Sequence, residues 1–120
     1  MREALNATGH HIYYSIHGIK GPDAVPLSNC WRTTSDISNT WDSMIQRAVL
    51  NDQYAAIAGP GAFNDPDMLE VGNFYDPVLG VAEGRTQMSL WSVMKAPLLI
   101  GTDLTLASQE TIATLGNKHA

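Results

Sequence analysis

Apolar positions along the chain fall into short runs that alternate with helical faces. Ile12, Tyr13, Tyr14 and Ile16 make a compact aromatic and β-branched run over residues 12–16, which predicts a buried strand. Cys30-Trp31-Arg32-Thr33 predicts a second short strand. The stretch between them, His17 to Asn29, holds Gly18, Gly21, Pro22 and Pro26 among polar residues and reads as a loop. The period then changes. Ile37, Trp41, Met44, Ile45 and Ala48 fall at i, i+4, i+7, i+8 and i+11, one face of a helix that ends near Leu50-Asn51. Ala55 to Ala58 leads into the turn Gly59-Pro60-Gly61 and then into 62–68, while 73–80 is loop-like. Met88, Trp91 and Met94 give a second helical face, stopped by Pro97. Leu98-Leu99-Ile100-Gly101 reads as a fully buried strand, too short for a helix. Ser108 is placed to cap a last helix through Leu115, with Gly116-Asn117 as its end, and residues 2–8 look like the tail of a helix closed by Gly9.

Strands alternating with helices predict an α/β fold built of βαβ units around a parallel sheet. One link is tight: only about a dozen residues separate the first two strands, the short end of what a parallel crossover needs. No internal repeat, low-complexity tract or linker interrupts the pattern.

Composition narrows the function more than the fold. With 120 residues the chain is too short for a complete (β/α)₈ barrel, which takes about 200 or more. A net charge of −5, with seven Lys and Arg that do not cluster, argues against a nucleic-acid surface. No apolar run approaches the roughly 18 residues of a membrane span, and Met1-Arg2-Glu3 does not open a secretory leader. The single cysteine, Cys30, leaves no disulfide within the chain and no all-cysteine zinc site.

In parallel α/β folds the reactive groups lie beyond the C-terminal ends of strands. That rule selects His17 after the first run, Arg32 and Asp36 after the second, Asp65 and Asp67 after Phe63, and Asp103 after the last. Histidine spacing suggests no bound metal, and Gly59-Pro60-Gly61 lacks the lysine of a phosphate loop. Carboxylate chemistry is the simplest remaining enzymatic reading. Each residue also has a plain structural reading. Asp36, just before a helical face, is placed as an N-cap. Arg32 is suited to pairing with a neighbouring carboxylate, and Asp65 and Asp67, flanking Pro66, to Asx-type turns. Trp31, Phe63 and Trp91 are candidate core, and His17 an ordinary loop histidine.

Three segments carry the reading further. Trp31-Arg32-Thr33-Thr34-Ser35-Asp36-Ile37, the run from Ala58 through Gly59-Pro60-Gly61-Ala62-Phe63-Asn64-Asp65-Pro66-Asp67-Met68 to Leu69, and the run from Trp91 through Met94-Lys95-Ala96-Pro97 to Gly101 resemble the α-galactosidases of glycoside hydrolase family 27. The opening Met1 to Gly9 and Tyr14-Ser15 match in the same order, so the resemblance covers essentially the whole chain.

The resemblance implies half of a (β/α)₈ barrel, strands five to eight with their helices. Residues 1–120 would then lack the N-terminal half-barrel and the C-terminal β-sandwich of the family. It implies a retaining hydrolase of terminal α-linked galactose, or of α-N-acetylgalactosamine. Retention uses two carboxyl groups about 5–5.5 Å apart, a nucleophile and an acid/base. The family's acid/base falls on Asp36, which must hold a proton that burial and a neighbouring nucleophile would favour, whereas an N-cap role favours the ionised form. Arg32 falls on the arginine that donates to sugar hydroxyls, Asp67 on a carboxylate that accepts from them, and Met68 on a thioether that packs against the ring. Asp65 would shape that loop. The lysine-(Tyr/Phe)-aspartate motif of the nucleophile does not occur in this sequence, so the isolated chain is expected not to turn over substrate. Ile16-His17 stand where many members carry cysteine-glutamate, which leaves galactose against N-acetylgalactosamine open and makes His17 a candidate partner of the sugar 2-substituent. Gly61-Ala62-Phe63 replaces the usual Gly-Gly-Trp.

The implied partner is an α-galactoside, with no cofactor, no metal, no nucleic acid and no membrane; oligomeric state is not implied. The family and the sequon Asn6-Ala7-Thr8 point to a secreted or lysosomal protein. A non-catalytic galactose-binding remnant, or an enzyme of another α/β carboxylate class that shares these loops, is the alternative.

Overall fold

Parallel pairing of three short strands organises the protein, which a computed structural model describes for residues 1–74 and 79–119. After a one-turn helix α1 (Arg2–Asn6), β1 (Ser15–Ile16), β2 (Cys30–Arg32) and β3 (Phe63–Asp65) lie side by side in that order. The register sets Ser15 against Cys30 and Ile16 against Trp31, then Cys30 against Phe63, Trp31 against Asn64 and Arg32 against Asp65. The short β1–β2 crossover is accomplished without an α-helix. A single 3₁₀ turn, Gly21–Asp23, spans it, and Asn29 returns to the sheet by donating its N–H to the Tyr14 carbonyl at 2.8 Å.

Helix α2 (Trp41–Asp52) connects β2 to β3, and α3 (Val81–Val93) and α4 (Gln109–Leu115) follow. Their ends are chemically explicit. The Thr40 hydroxyl accepts from the Ser43 N–H at the start of α2, and Ser108 from the Thr111 N–H at the start of α4, the cap the sequence predicts. Glu83 reaches back to the Gly80 N–H at 2.7 Å to open α3. That helix stops as predicted before Pro97. Lys95 turns left-handed (φ 59°), and the Ala96 N–H returns to the Trp91 carbonyl at 3.0 Å.

The core gathers Ile37, Met44, Leu69, Val71, Met88, Trp91 and Ala96. The two predicted helical faces thus meet in one cluster, where each fully buried large side chain contributes about 1.5–3 kcal/mol by leaving water. Trp31 is fully buried as well, whereas Phe63, expected in the core, is only half-buried.

Several boundaries differ from expectation. Only Ser15 and Ile16 of the 12–16 run are strand, and Ile12 and Tyr13 are exposed. Leu98, Leu99 and Ile100 are exposed too, joined to the rest by one parallel bridge, Leu69 to Ile100. Among the described residues both runs pair on one side only, and Ile12, Tyr13 and Leu98 to Ile100 stay largely in water. The helix after β2 begins at Trp41 rather than near Ile37, and Thr40, not Asp36, caps it. The loop expected over 73–80 lies partly outside the described residues.

Candidate functional site

Alternation along the strands puts Cys30 and Arg32 on the same sheet face as Phe63 and Asp65, and turns Trp31 and Asn64 to the other. Arg32 is the last residue of β2, so its guanidinium projects where the chains leave the sheet. There a single nitrogen, Nη2, donates to Asp36 Oδ1 at 3.1 Å and to Asp67 Oδ2 at 2.6 Å. The two pairs differ in setting. The side chains of Arg32 and Asp67 are 18% and 12% exposed, that of Asp36 is 90% exposed. The first pair is a short charge-assisted bond away from bulk water, while the second contributes about 0–1 kcal/mol.

Asp67 is the most heavily engaged residue of the group. Its backbone is left-handed (φ 99°), a conformation that costs a non-glycine residue on the order of 1–3 kcal/mol. Its own N–H donates to Asp65 Oδ1 at 2.8 Å across Pro66, the Asx-type bond expected of that pair. Its Oδ1 accepts from the Met68 N–H and its Oδ2 from the Ile37 N–H, both at 2.8 Å. Its carbonyl accepts from Trp91 Nε1 at 2.7 Å. Asp65 is 6% exposed, and burial pushes its carboxyl up from the ordinary aspartate value; the Asp67 N–H and the Arg32 cation pull it back only in part.

The structure therefore brings Arg32, Asp36 and Asp67 together and ties Met68 to them through Asp67. Met68 is half-exposed and lies against Gly101, where a Cβ would come within 2.5 Å of Met68 Sδ. His17 is not joined to the cluster by any hydrogen bond or ion pair. It lines a separate hollow of about 430 Å³ with Tyr14, Ile16, Ile19 and Leu27 among others. Asp103 folds onto Thr105, whose hydroxyl and N–H hold its carboxyl below the ordinary range, so it serves a local turn. Among the described residues no three His, Cys, Asp or Glu side chains converge as a metal would require, and no helix is long and apolar enough to cross a membrane.

Sequence reasoning missed Arg47. Its Nε and Nη2 donate to the backbone carbonyl of Asp36 at 3.3 and 2.9 Å. A signal was available: the buried residues of α2 are Met44, Arg47 and Asn51, so an arginine occupies the core stripe of an amphipathic helix. The cluster as a whole offers one exposed carboxylate, one cation beside it, and a second carboxylate that holds both in place.

Comparison with known proteins gives a consistent result. The family model described as alpha galactosidase A matches residues 1–120. Alpha-galactosidase 3 of Arabidopsis thaliana is 50% identical over 123 residues, covering 99% of this chain and 28% of that protein. The alpha-N-acetylgalactosaminidase of Gallus gallus is 37% identical over 132 residues, covering 98% of this chain and 32% of its own. Among solved structures, alpha-galactosidase I from Mortierella vinacea superimposes with a TM-score of 0.77 at 26% identity, over 96% of this chain and 34% of that one. The chain thus spans about three-tenths of the length of the relatives it matches.

Proposed function

Because the chain belongs to the alpha galactosidase A family, glycoside hydrolase family 27, we propose that it forms strands five to eight of a barrel that hydrolyses α-linked galactosides with retention. In this reading residues 1–120 are part of a larger catalytic domain, and Asp36 is its general acid/base. The observation that carries it is the Arg32 guanidinium bridging Asp36 and Asp67 where β2 and the loop after β3 leave the sheet.

Asp36 is 90% exposed in this segment rather than buried as the resemblance implies, so its carboxyl is open to a substrate. The burial and neighbouring nucleophile that would favour its proton have to come from the rest of the barrel. Its carboxyl can meet the glycosidic oxygen and pass it a proton as the bond from C1 breaks and the nucleophile, supplied from outside this chain, forms a galactosyl ester. The resulting carboxylate then takes a proton from the water that attacks C1 and releases the sugar. Arg32 donates to sugar hydroxyls from the floor of the site, and the half-exposed Met68 thioether offers an apolar face to the ring. Asp67 retains one acceptor direction on Oδ1 beyond its bond to the Met68 N–H. His17 stands two residues beyond Ser15 as Arg32 stands two beyond Cys30, its register partner, which supports placing it near a sugar substituent of the same site.

The test uses the complete protein that carries this segment. It is expected to release galactose from an α-galactoside with the α-anomer appearing first by NMR. Asp36→Asn is expected to lower kcat by about 10²–10⁴-fold, the usual worth of a positioned acid/base. The 120-residue chain alone is expected to give no turnover. Activity that survives Asp36→Asn would remove the residue from the mechanism. A second sugar is a specific possibility, given the N-acetylgalactosaminidase relative. Comparing kcat/KM for aryl α-galactoside and aryl α-N-acetylgalactosaminide decides between them.

A further inference from the structure

Among the described residues the exposed Asp36 side chain has a single polar contact at its carboxylate, the 3.1 Å bond to Arg32, so something else must set its direction. Its backbone is held on both edges. The carbonyl of Asp36 accepts from Arg47 Nη2 at 2.9 Å and Nε at 3.3 Å. The N–H of the same peptide unit, on Ile37, donates to Asp67 Oδ2 at 2.8 Å. A cation and an anion from two different elements thus grip opposite edges of one peptide plane.

We propose that Arg47 is a positioning residue for the acid/base carboxylate, holding the Asp36–Ile37 peptide against Asp67 so that Asp36 points into the site. The inference rests on Asp36 acting as the acid/base. Burying an arginine is costly unless the charge is used, and Arg47 is 9% exposed. Neither ion pair among the described residues includes it; its other bond is from Nη1 to the neutral Gln46 side chain at 2.7 Å. Its charge is therefore directed at a carbonyl. The opposite jaw is rigid as well: Asp67 is fixed by Arg32, by Asp65 and by the Trp91 indole. Ile37 itself is anchored in the core, so the peptide is restrained at its C-terminal side while Asp36 is left to face solvent. A lysine at 47 has one compact donor group and no fork, and a glutamine falls short of the carbonyl.

The complete protein with Arg47→Gln and Arg47→Lys, beside Asp36→Asn, provides the test. Misplacing a general acid hurts substrates whose leaving group needs a proton and spares those whose leaving group does not. Arg47→Gln is expected to lower kcat/KM, which reports the bond-breaking step, for an alkyl α-galactoside by about 10-fold or more. The loss of kcat/KM for a dinitrophenyl α-galactoside is expected to stay within about 3-fold, and Arg47→Lys to recover part of the difference. An equal loss on both substrates, or none, overturns the inference. If Asp36→Asn itself leaves turnover intact, the acid/base reading fails. If Asp36→Asn collapses turnover and Arg47→Gln shows no leaving-group dependence, only the Arg47 inference fails. Amide exchange at Ile37 in the complete protein gives a readout free of activity. Arg47→Gln is expected to speed Ile37 exchange by about 10-fold while Met44 in α2 is unchanged. Unaltered Ile37 protection overturns the clamp.

Discussion

Two regions of this small protein have similar raw material and opposite fates. Around Arg32 and Asp67, polar and charged groups sit at or near burial because they are bonded across the fold: β2 to the loop after β3, and that loop to the segment before α2 and to α3. Along Ile12–Tyr13 and Leu98–Ile100, apolar and aromatic residues with strong strand preference remain exposed. The difference lies in what covers each run. β2 is paired on both flanks, and Asn64 and Asp65 of the edge strand β3 are buried as well, bonded to the Tyr54 carbonyl and the Asp67 N–H. The outer runs, also paired on one flank, keep Ile12, Tyr13 and Leu98 to Ile100 exposed. Tertiary bonding and cover decide burial here more than hydrophobicity does.

Substitutions can break this contrast. Trp91→Ala removes a fully buried indole and the bond that holds the strained Asp67 carbonyl, and is expected to cost about 3–5 kcal/mol in denaturant unfolding. Leu99→Ala at the exposed edge serves as its control, with a change expected within about 0.5 kcal/mol. Comparable losses from the two would erase the distinction between the regions. Next in size, Arg32→Met leaves the Asp67 carboxylate without its cation and is expected to cost about 2–3 kcal/mol by the same measurement. Loss below about 0.5 kcal/mol would mark the pair as an ordinary surface contact.

The smallest effect concerns pH. Burial raises the Asp65 carboxyl in the folded state, so ionising it opposes folding. Stability from this group is full below its unfolded value, near 3.8, and is lost as pH rises through the higher folded value. Asp65→Asn keeps an acceptor for the Asp67 N–H and cannot ionise. Its stability relative to the parent is therefore expected to improve from about pH 3 to pH 7 in parallel thermal melts. A flat difference across that range would mean that Arg32 fully compensates the buried charge.

Much of this arrangement was legible in the sequence, and the gaps have physical causes. Ser108 and Pro97 set helix ends through local chemistry, and both were readable from neighbouring residues. The β2 strand was also placed, because Trp31 marks a short apolar run next to polar loops; for β3 only a strand end at Phe63 was implied, and the strand continues through Asp65. Asp36 was read as a helix cap because it directly precedes the first apolar residue of the α2 face. In the structure Ile37 enters the core from a non-helical segment and Thr40 takes the capping role. The grouping of Arg32, Asp36 and Asp67 was accessible through the strand-end rule and the family resemblance. The use of Asp67 was not, since two of its bonds come from a backbone N–H and an indole distant in sequence. Arg47 stands three residues after Met44 on the buried face of α2, which marks it out, but its target is a main-chain carbonyl, which leaves no trace in residue type.

The close approach of Met68 to Gly101 constrains how the site can diversify. A methyl group at residue 101 would overlap the Met68 sulfur, while a shorter side chain at residue 68 opens that space. The two obstacles differ in kind. Shortening residue 68 removes the sulfur but leaves the Leu69 carbonyl 3.0 Å from any Cβ at residue 101, whereas enlarging residue 101 first requires the flexible Met68 side chain to swing aside. Recombining segments between relatives meets the same contact, because residues 68 and 101 lie in different segments of the chain.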